Sequence, residues 1–150
     1  HGYSKSVVGV LWMLGVVAEI GVFLAMPALL RRFSLRGILL ASFVAAGARF
    51  LMIGWGVEWL GVLVVAQLLH AATFGSFHAA SLAVVHRMFE GPLQVRGQAL
   101  YMSVCYGLGG VGGTLLAGAT WESLGAAPTY GISALFGLLG AAFVAWRVRA

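Results

Sequence analysis

The sequence predicts an all-α fold, a polytopic membrane helix bundle of five transmembrane helices. Three observations carry this: an extreme apolar composition, five apolar stretches of bilayer length, and basic residues that fall on one side of the chain's path. Hydrophobic residues make up 61% of the 150 and charged residues 9%, and the mean hydropathy is +0.99. A soluble domain carries roughly 25% charged residues. A chain this short has no water-soluble core large enough to hide so much apolar surface, so its solvent is lipid.

Crossing the hydrocarbon core takes about 20 mostly apolar residues. The first predicted span runs from Val7 to Leu30, with Pro27 near its end as a candidate kink or early stop. The second runs from Ile38 to Trp55, the third from Leu60 to Val85, the fourth from Ala99 to Thr120 and the fifth from Tyr130 to Trp146. Between them lie the short connections "RRFSLRG", "GVEW", "HRMFEGPLQVRGQ" and "WESLGAAP", punctuated by Gly, Pro and charged residues as helix ends require.

The charges set the direction. Arg31, Arg32, Arg36, Arg87, Arg96, Arg147 and Arg149 all fall on one side if five helices cross, and the other side holds Lys5, Glu58 and Glu122. Seven basic residues against one is a positive-inside asymmetry. It places the N-terminus outside and the C-terminus in the cytoplasm. The net charge of +5 comes from these loops; it is not clustered or interleaved with exposed aromatics, as nucleic-acid binding requires. The chain begins at His1 without a charged n-region, which reads as a start inside a longer protein and not as a signal peptide. Cys105, the single cysteine, lies in an apolar run and reads as a buried small hydrophobe, with no disulfide framework.

The stretch "YGLGGVGG" places Gly107, Gly109 and Gly112 at the spacing G-x-G-x-x-G, a dinucleotide-binding signature. No strand precedes it, it lies within an apolar run of helix length, and Glu122 comes too soon for a ribose contact. No nucleotide cofactor follows from it. Gly109 and Gly113 instead supply the G-x-x-x-G spacing that lets membrane helices approach closely.

Two charges lie where lipid should be: Glu19 in "VVAEIGVF" and Arg49 in "AAGARFLM". A charge near the bilayer centre costs at least about 2.5–3.5 kcal/mol on insertion scales, so it faces a partner or a watery cavity. Opposite signs make each the natural partner of the other. The third span adds Gln67, His70 and Thr73 on one helix face, and His78 about 80° round from His70. At 1.5 Å per residue, Glu19, Arg49 and His70 lie roughly 18, 10 and 15 Å from their outer helix ends. This convergence at one depth points to a functional charge network of Glu19, Arg49 and His70, with Gln67, Thr73 and His78 as candidate cavity residues beside it. His86, beside Arg87 at a helix end, reads as interfacial.

The competing class is a membrane-embedded hydrolase or acyltransferase using Glu19, His70 and His78. It lacks an HExxH pair, a G-x-S-x-G elbow and a base beside Cys105. No residue is assigned a catalytic role, and no metal site is predicted.

The pieces "GVVAEIGVFL", "ARFL", "QLLHAATFGSFHAA" and "RGQALYMSVCYGLGG", in this order and spacing, carry a family likeness. The chain resembles the C-terminal half of a major facilitator superfamily transporter. It is most similar to the phenylpropionate-permease-like group, related to the oligosaccharide:proton symporters. The resemblance implies that the spans are helices eight to twelve of a twelve-helix fold whose first half and helix seven lie outside this chain. It implies secondary active, proton-coupled transport in a bacterial cytoplasmic membrane, at a midplane site between two rocking halves. The family's helix-eight Glu, helix-nine Arg and helix-ten His map onto Glu19, Arg49 and His70. The sugar symporters have a Lys three residues before that His and a Glu three residues after it, where this chain has Gln67 and Thr73. The implied substrate is accordingly an aromatic or other organic acid, with the bilayer, protons and the N-terminal half of the transporter as partners.

Overall fold

A computed structural model describes residues 2–148. Arg149, counted above among the arginines of one side, lies outside the described residues. Helix α1 covers Lys5–Arg32, α2 Leu35–Gly56 and α3 Leu60–Met88. A 3-10 turn at Gly91–Leu93 then leads into α4, Gln94–Met102, a π-helical segment at Ser103–Leu108, and α5, Gly109–Leu124. Helix α6 covers Ala126–Arg147. Among the described residues, five helical runs are long and apolar enough to cross a membrane, with Gly91–Leu124 counting as one. The chain is an all-α, multi-pass membrane protein.

Local chemistry sets the boundaries. Ser4 Oγ accepts a hydrogen bond from Val7 N (3.3 Å) and Ser34 Oγ from Gly37 N (3.1 Å), capping α1 and α2 a few residues before the apolar runs begin. Arg31 and Arg32 occupy the last turn of α1, and His86 and Arg87 that of α3, where cations favour the helix dipole. Pro27 does not end α1, which continues to Arg32. The fourth span departs most from expectation. The predicted loop before it is largely helical, so Arg96 sits on α4, and the run contains a π segment. At Gly125, φ is +86°, a conformation open to glycine that lets α6 start directly after α5.

Helix α2 is held between α3 and α6, and α1 packs on α3. Small residues make these contacts close. A Cβ on Gly137 would lie 3.3 Å from Gly47 N, and one on Gly75 would lie 3.3 Å from Val22 Cγ1. Near the arginine end, Met26, Ile38, Leu39, Ala80 and Val144 form a buried cluster. The two ends are tied separately: Tyr3 Oη donates to Glu58 O (2.8 Å) at one, and Arg36 Nη2 to Ala145 O (2.8 Å) at the other.

Within this chain, Gly109 and Gly113 do not make the close helix contact that their spacing allows. A Cβ on Gly109 would meet only Val104 O of its own span, and one on Gly113 would meet nothing within 4 Å. Helix α5 has no buried residue. Both glycines face a cavity of about 580 Å³ that Phe50 of α2 and Ile132 and Phe136 of α6 also line. Close glycine packing occurs at α2–α6, where two helices run side by side without a gap.

Candidate functional site

The candidate polar residues within the spans come from three helices. Glu19 is on α1, Arg49 on α2, and Gln67, His70 and Thr73 are on α3. Helix α1 approaches α3 closely through Gly15, where a Cβ would lie 2.9 Å from Gln67 Oε1 and 3.7 Å from His70 Cδ2. Any larger side chain there would push these polar groups away from the α1 backbone.

The result is two cavities that share Arg49 and His70. One, of about 320 Å³, is lined by Glu19, Arg49, Gln67, His70, Trp12 and Tyr130, among others. The other, of about 400 Å³, has Arg49, His70 and Thr73 on its polar side. Its remaining wall is mainly aromatic, formed by Phe43 and Phe50 from α2 and Phe74 and Phe77 from α3, with Cys105 and Tyr106 from the π segment.

The structure thus gathers Glu19, Arg49, Gln67 and His70 around one space, but among the described residues Glu19 and Arg49 form no ion pair within 4 Å. Arg49 Nε and His70 Nδ1 are both buried without a hydrogen-bond partner. The expected direct pair is replaced by two opposite charges facing a common cavity. An unpartnered buried guanidinium nitrogen is costly, and a bound anion on the accessible face of Arg49 would offset that cost. Arg49 also lies over the Phe50 ring at 5.3 Å, a cation–π contact.

Thr73 is buried, and its hydroxyl donates to His70 O (2.9 Å). His78 lines neither cavity; its Nδ1 lies 3.0 Å from Tyr106 Oη. Phe74 is stacked between the two histidines, 5.7 Å from His70 and 6.3 Å from His78. Cys105 is exposed and borders the larger cavity, so its reading as a buried small hydrophobe is corrected. Among the described residues, no three His, Cys, Asp or Glu side chains converge to hold a metal ion.

The aromatic wall was missed from sequence, although part of its signal was there. Phe43, Ala46 and Phe50 are spaced i, i+3, i+7 on α2, and His70, Phe74 and His78 recur every four residues on α3. Tyr106 had no such signal, because the π segment shifts the helical phase ahead of it.

Comparison with known proteins agrees with this architecture. Residues 1–132 match the model of the MFS_1 like family. Over 124 residues the chain is 38% identical to the "Probable 3-phenylpropionic acid transporter" of Escherichia coli K12, covering 83% of this chain and 32% of that protein. Over 105 residues it is 26% identical to the "Xanthosine permease" of the same organism, covering 68% of this chain and 25% of the permease. The chain therefore matches between a quarter and a third of the length of these relatives. No solved structure matches it. With the family model matching well over half the chain, and with a relative of this identity, the chain belongs to the MFS_1 like family of the major facilitator superfamily.

Proposed function

We propose that this chain is the C-terminal part, helices eight to twelve, of a proton-coupled secondary transporter that carries a small aromatic or other organic acid across a bacterial cytoplasmic membrane. The observation that supports it most is the cavity of about 400 Å³ in which one half-buried cation, Arg49, shares the lining with a wall of aromatic rings. A carboxylate suits the guanidinium, which binds it through two parallel hydrogen bonds. The rings suit an apolar aryl body. The solutes in the relatives' names, 3-phenylpropionic acid and xanthosine, both contain flat rings.

In this reading Arg49 holds the substrate carboxylate, and Glu19 and His70 are the proton-coupling groups across the second cavity. The arginine end faces the cytoplasm, in keeping with the positive-inside rule. A missing N-terminal half covers the open side of the cavities, and rocking of the halves changes which side reaches water. The enzyme alternative gains nothing from the relatives, whose names are those of a transporter and a permease.

The test is uptake by proteoliposomes holding the full-length transporter. An inward proton gradient should drive accumulation of unchanged 3-phenylpropionate, and collapsing the gradient should stop it. Release of a chemically altered product, or no gradient-dependent uptake of any aryl acid, would remove this reading. Vesicles holding only these 150 residues should show no uptake above protein-free vesicles, because five helices enclose no two-sided cavity.

A further inference from the structure

A cavity of about 360 Å³ opens at the arginine end of the block and shares no residue with the two cavities around Arg49. It forms where the ends of α1, α2, α3 and α6 meet. The α1–α2 connection supplies Phe33 and Ser34, the first turn of α2 supplies Arg36, the end of α3 supplies Val84 and Arg87, and Val148 follows α6. Leu35, Val84 and Val148, which line it, also pack against the buried cluster of Met26, Ile38, Leu39, Ala80 and Val144. Whatever fills the cavity therefore lies over the core of the block. Leu30, Phe33 and Met88 line it too, and all three are exposed.

The cavity is cationic. Arg36 stands in the first turn of α2, where a positive charge opposes the helix dipole, and no acidic residue occupies that turn. A guanidinium carries five N–H donors. Arg36 spends one of them on Ala145 O (2.8 Å), in the last turn of α6, which fixes the group in place. Its Nε is buried without a partner. Ser34 Oγ accepts from Gly37 N (3.1 Å), so its own O–H remains able to donate. Among the described residues, no carboxylate lines the cavity. An anion is the ligand that these donors and the two arginines suit.

Depth and lining identify the kind of anion. Helix α3 has 29 residues, which extend about 43 Å at 1.5 Å per residue, against a hydrocarbon core of about 30 Å. Its last turn, with Arg87, thus reaches the headgroup layer. A free hydrated anion would leave the apolar lining unused, whereas a phospholipid brings a phosphate and acyl carbons together. Basic pockets between helix ends are where anionic headgroups bind. Without a lining carboxylate, the ammonium of a zwitterionic headgroup has no counterpart.

We propose that this cavity is a binding site for one anionic phospholipid of the leaflet at the arginine end. Its phosphate lies between Arg36 and Arg87, and its upper acyl carbons cover Leu30, Phe33 and Met88. The bound lipid closes that end of the block over the buried cluster.

The test uses delipidated full-length transporter in a neutral detergent, titrated with dioleoylphosphatidylglycerol or dioleoylphosphatidylcholine, with bound lipid counted by native mass spectrometry. The first phosphatidylglycerol should bind about tenfold more tightly than phosphatidylcholine. Arg87→Gln removes an exposed charge, and Arg36→Gln keeps an amide donor for Ala145 O; each should weaken that binding about fivefold. Arg96→Gln, on α4 and outside the cavity, should change it by less than about twofold. Phosphatidylglycerol should also raise the melting temperature of the wild type more than that of either cavity variant. If Arg36→Gln fails to fold, Arg87→Gln decides. Equal affinity for the two lipids, or an Arg87→Gln effect no larger than that of Arg96→Gln, would overturn the site. Equal stabilisation by inorganic phosphate would assign the cavity to a free anion and overturn the lipid. None of these readouts involves a transported solute, so they stand apart from the aryl-acid reading.

Discussion

The block of α1, α2, α3 and α6 and the fourth span are built from the same kinds of residue and behave differently. In the block, glycines lie under neighbouring helices: Gly47 against Gly137, Gly54 against Tyr130, Gly75 against Val22. In the fourth span, Gly107, Gly110, Gly112 and Gly113 have nothing within 4 Å of the position a Cβ would take. Small residues permit close packing of membrane helices, but a partner has to be present for the permission to be used. The block also holds both intramembrane charges and His70, while the fourth span supplies ring and thiol. The packed block carries the charged groups and most of the aromatic wall, and the loosely held span adds Tyr106 and Cys105 to it.

The largest effect that would sharpen this contrast is expected at Glu19. Glu19→Gln keeps the shape and some hydrogen bonding and removes the titration. It should abolish proton-driven accumulation in the full-length transporter while leaving counterflow exchange of preloaded substrate. Undiminished uphill uptake by a well-expressed variant would take the proton away from Glu19 and leave His70 as the candidate in this chain.

Packing in the block comes next. Gly137→Leu would thrust a side chain into the Gly47 backbone, where even a Cβ lies at 3.3 Å. Overpacking of this kind costs typically 1–3 kcal/mol, so the yield of monodisperse detergent-solubilised protein should fall by about tenfold. Normal yield would show that α2 and α6 separate freely and would break the contrast.

The smallest effect is expected from Gly113→Leu on α5. With open space around that position, the thermal stability of the purified protein should change by an amount equivalent to about 0.5 kcal/mol or less. A loss as large as that of Gly137→Leu would mean that another helix of the intact transporter covers this face, making the fourth span as tightly packed as the block.

Much of this molecule was determined by sequence alone, because a bilayer imposes one-dimensional rules. Every backbone group must be satisfied within its own segment, so apolar length alone marks a span. The five spans, their order and the separation of Arg36 and Arg147 from Lys5 and Glu58 needed no tertiary information. The identity of Glu19, Arg49 and His70 as unusual residues was equally legible, since a charge in lipid stands out wherever it points.

What tertiary structure decided was how those groups meet. Whether Glu19 touches Arg49 depends on the separation and rotation of α1 and α2, which no spacing along one helix reveals, and they face a shared cavity without pairing. The G-x-x-x-G of α5 is indistinguishable in sequence from one in use, because its neighbour comes from another part of the chain. Tyr106 was hidden for a different reason: helical periodicity assumes 3.6 residues per turn, and a π turn breaks that count at the segment where the fourth span reaches the cavity.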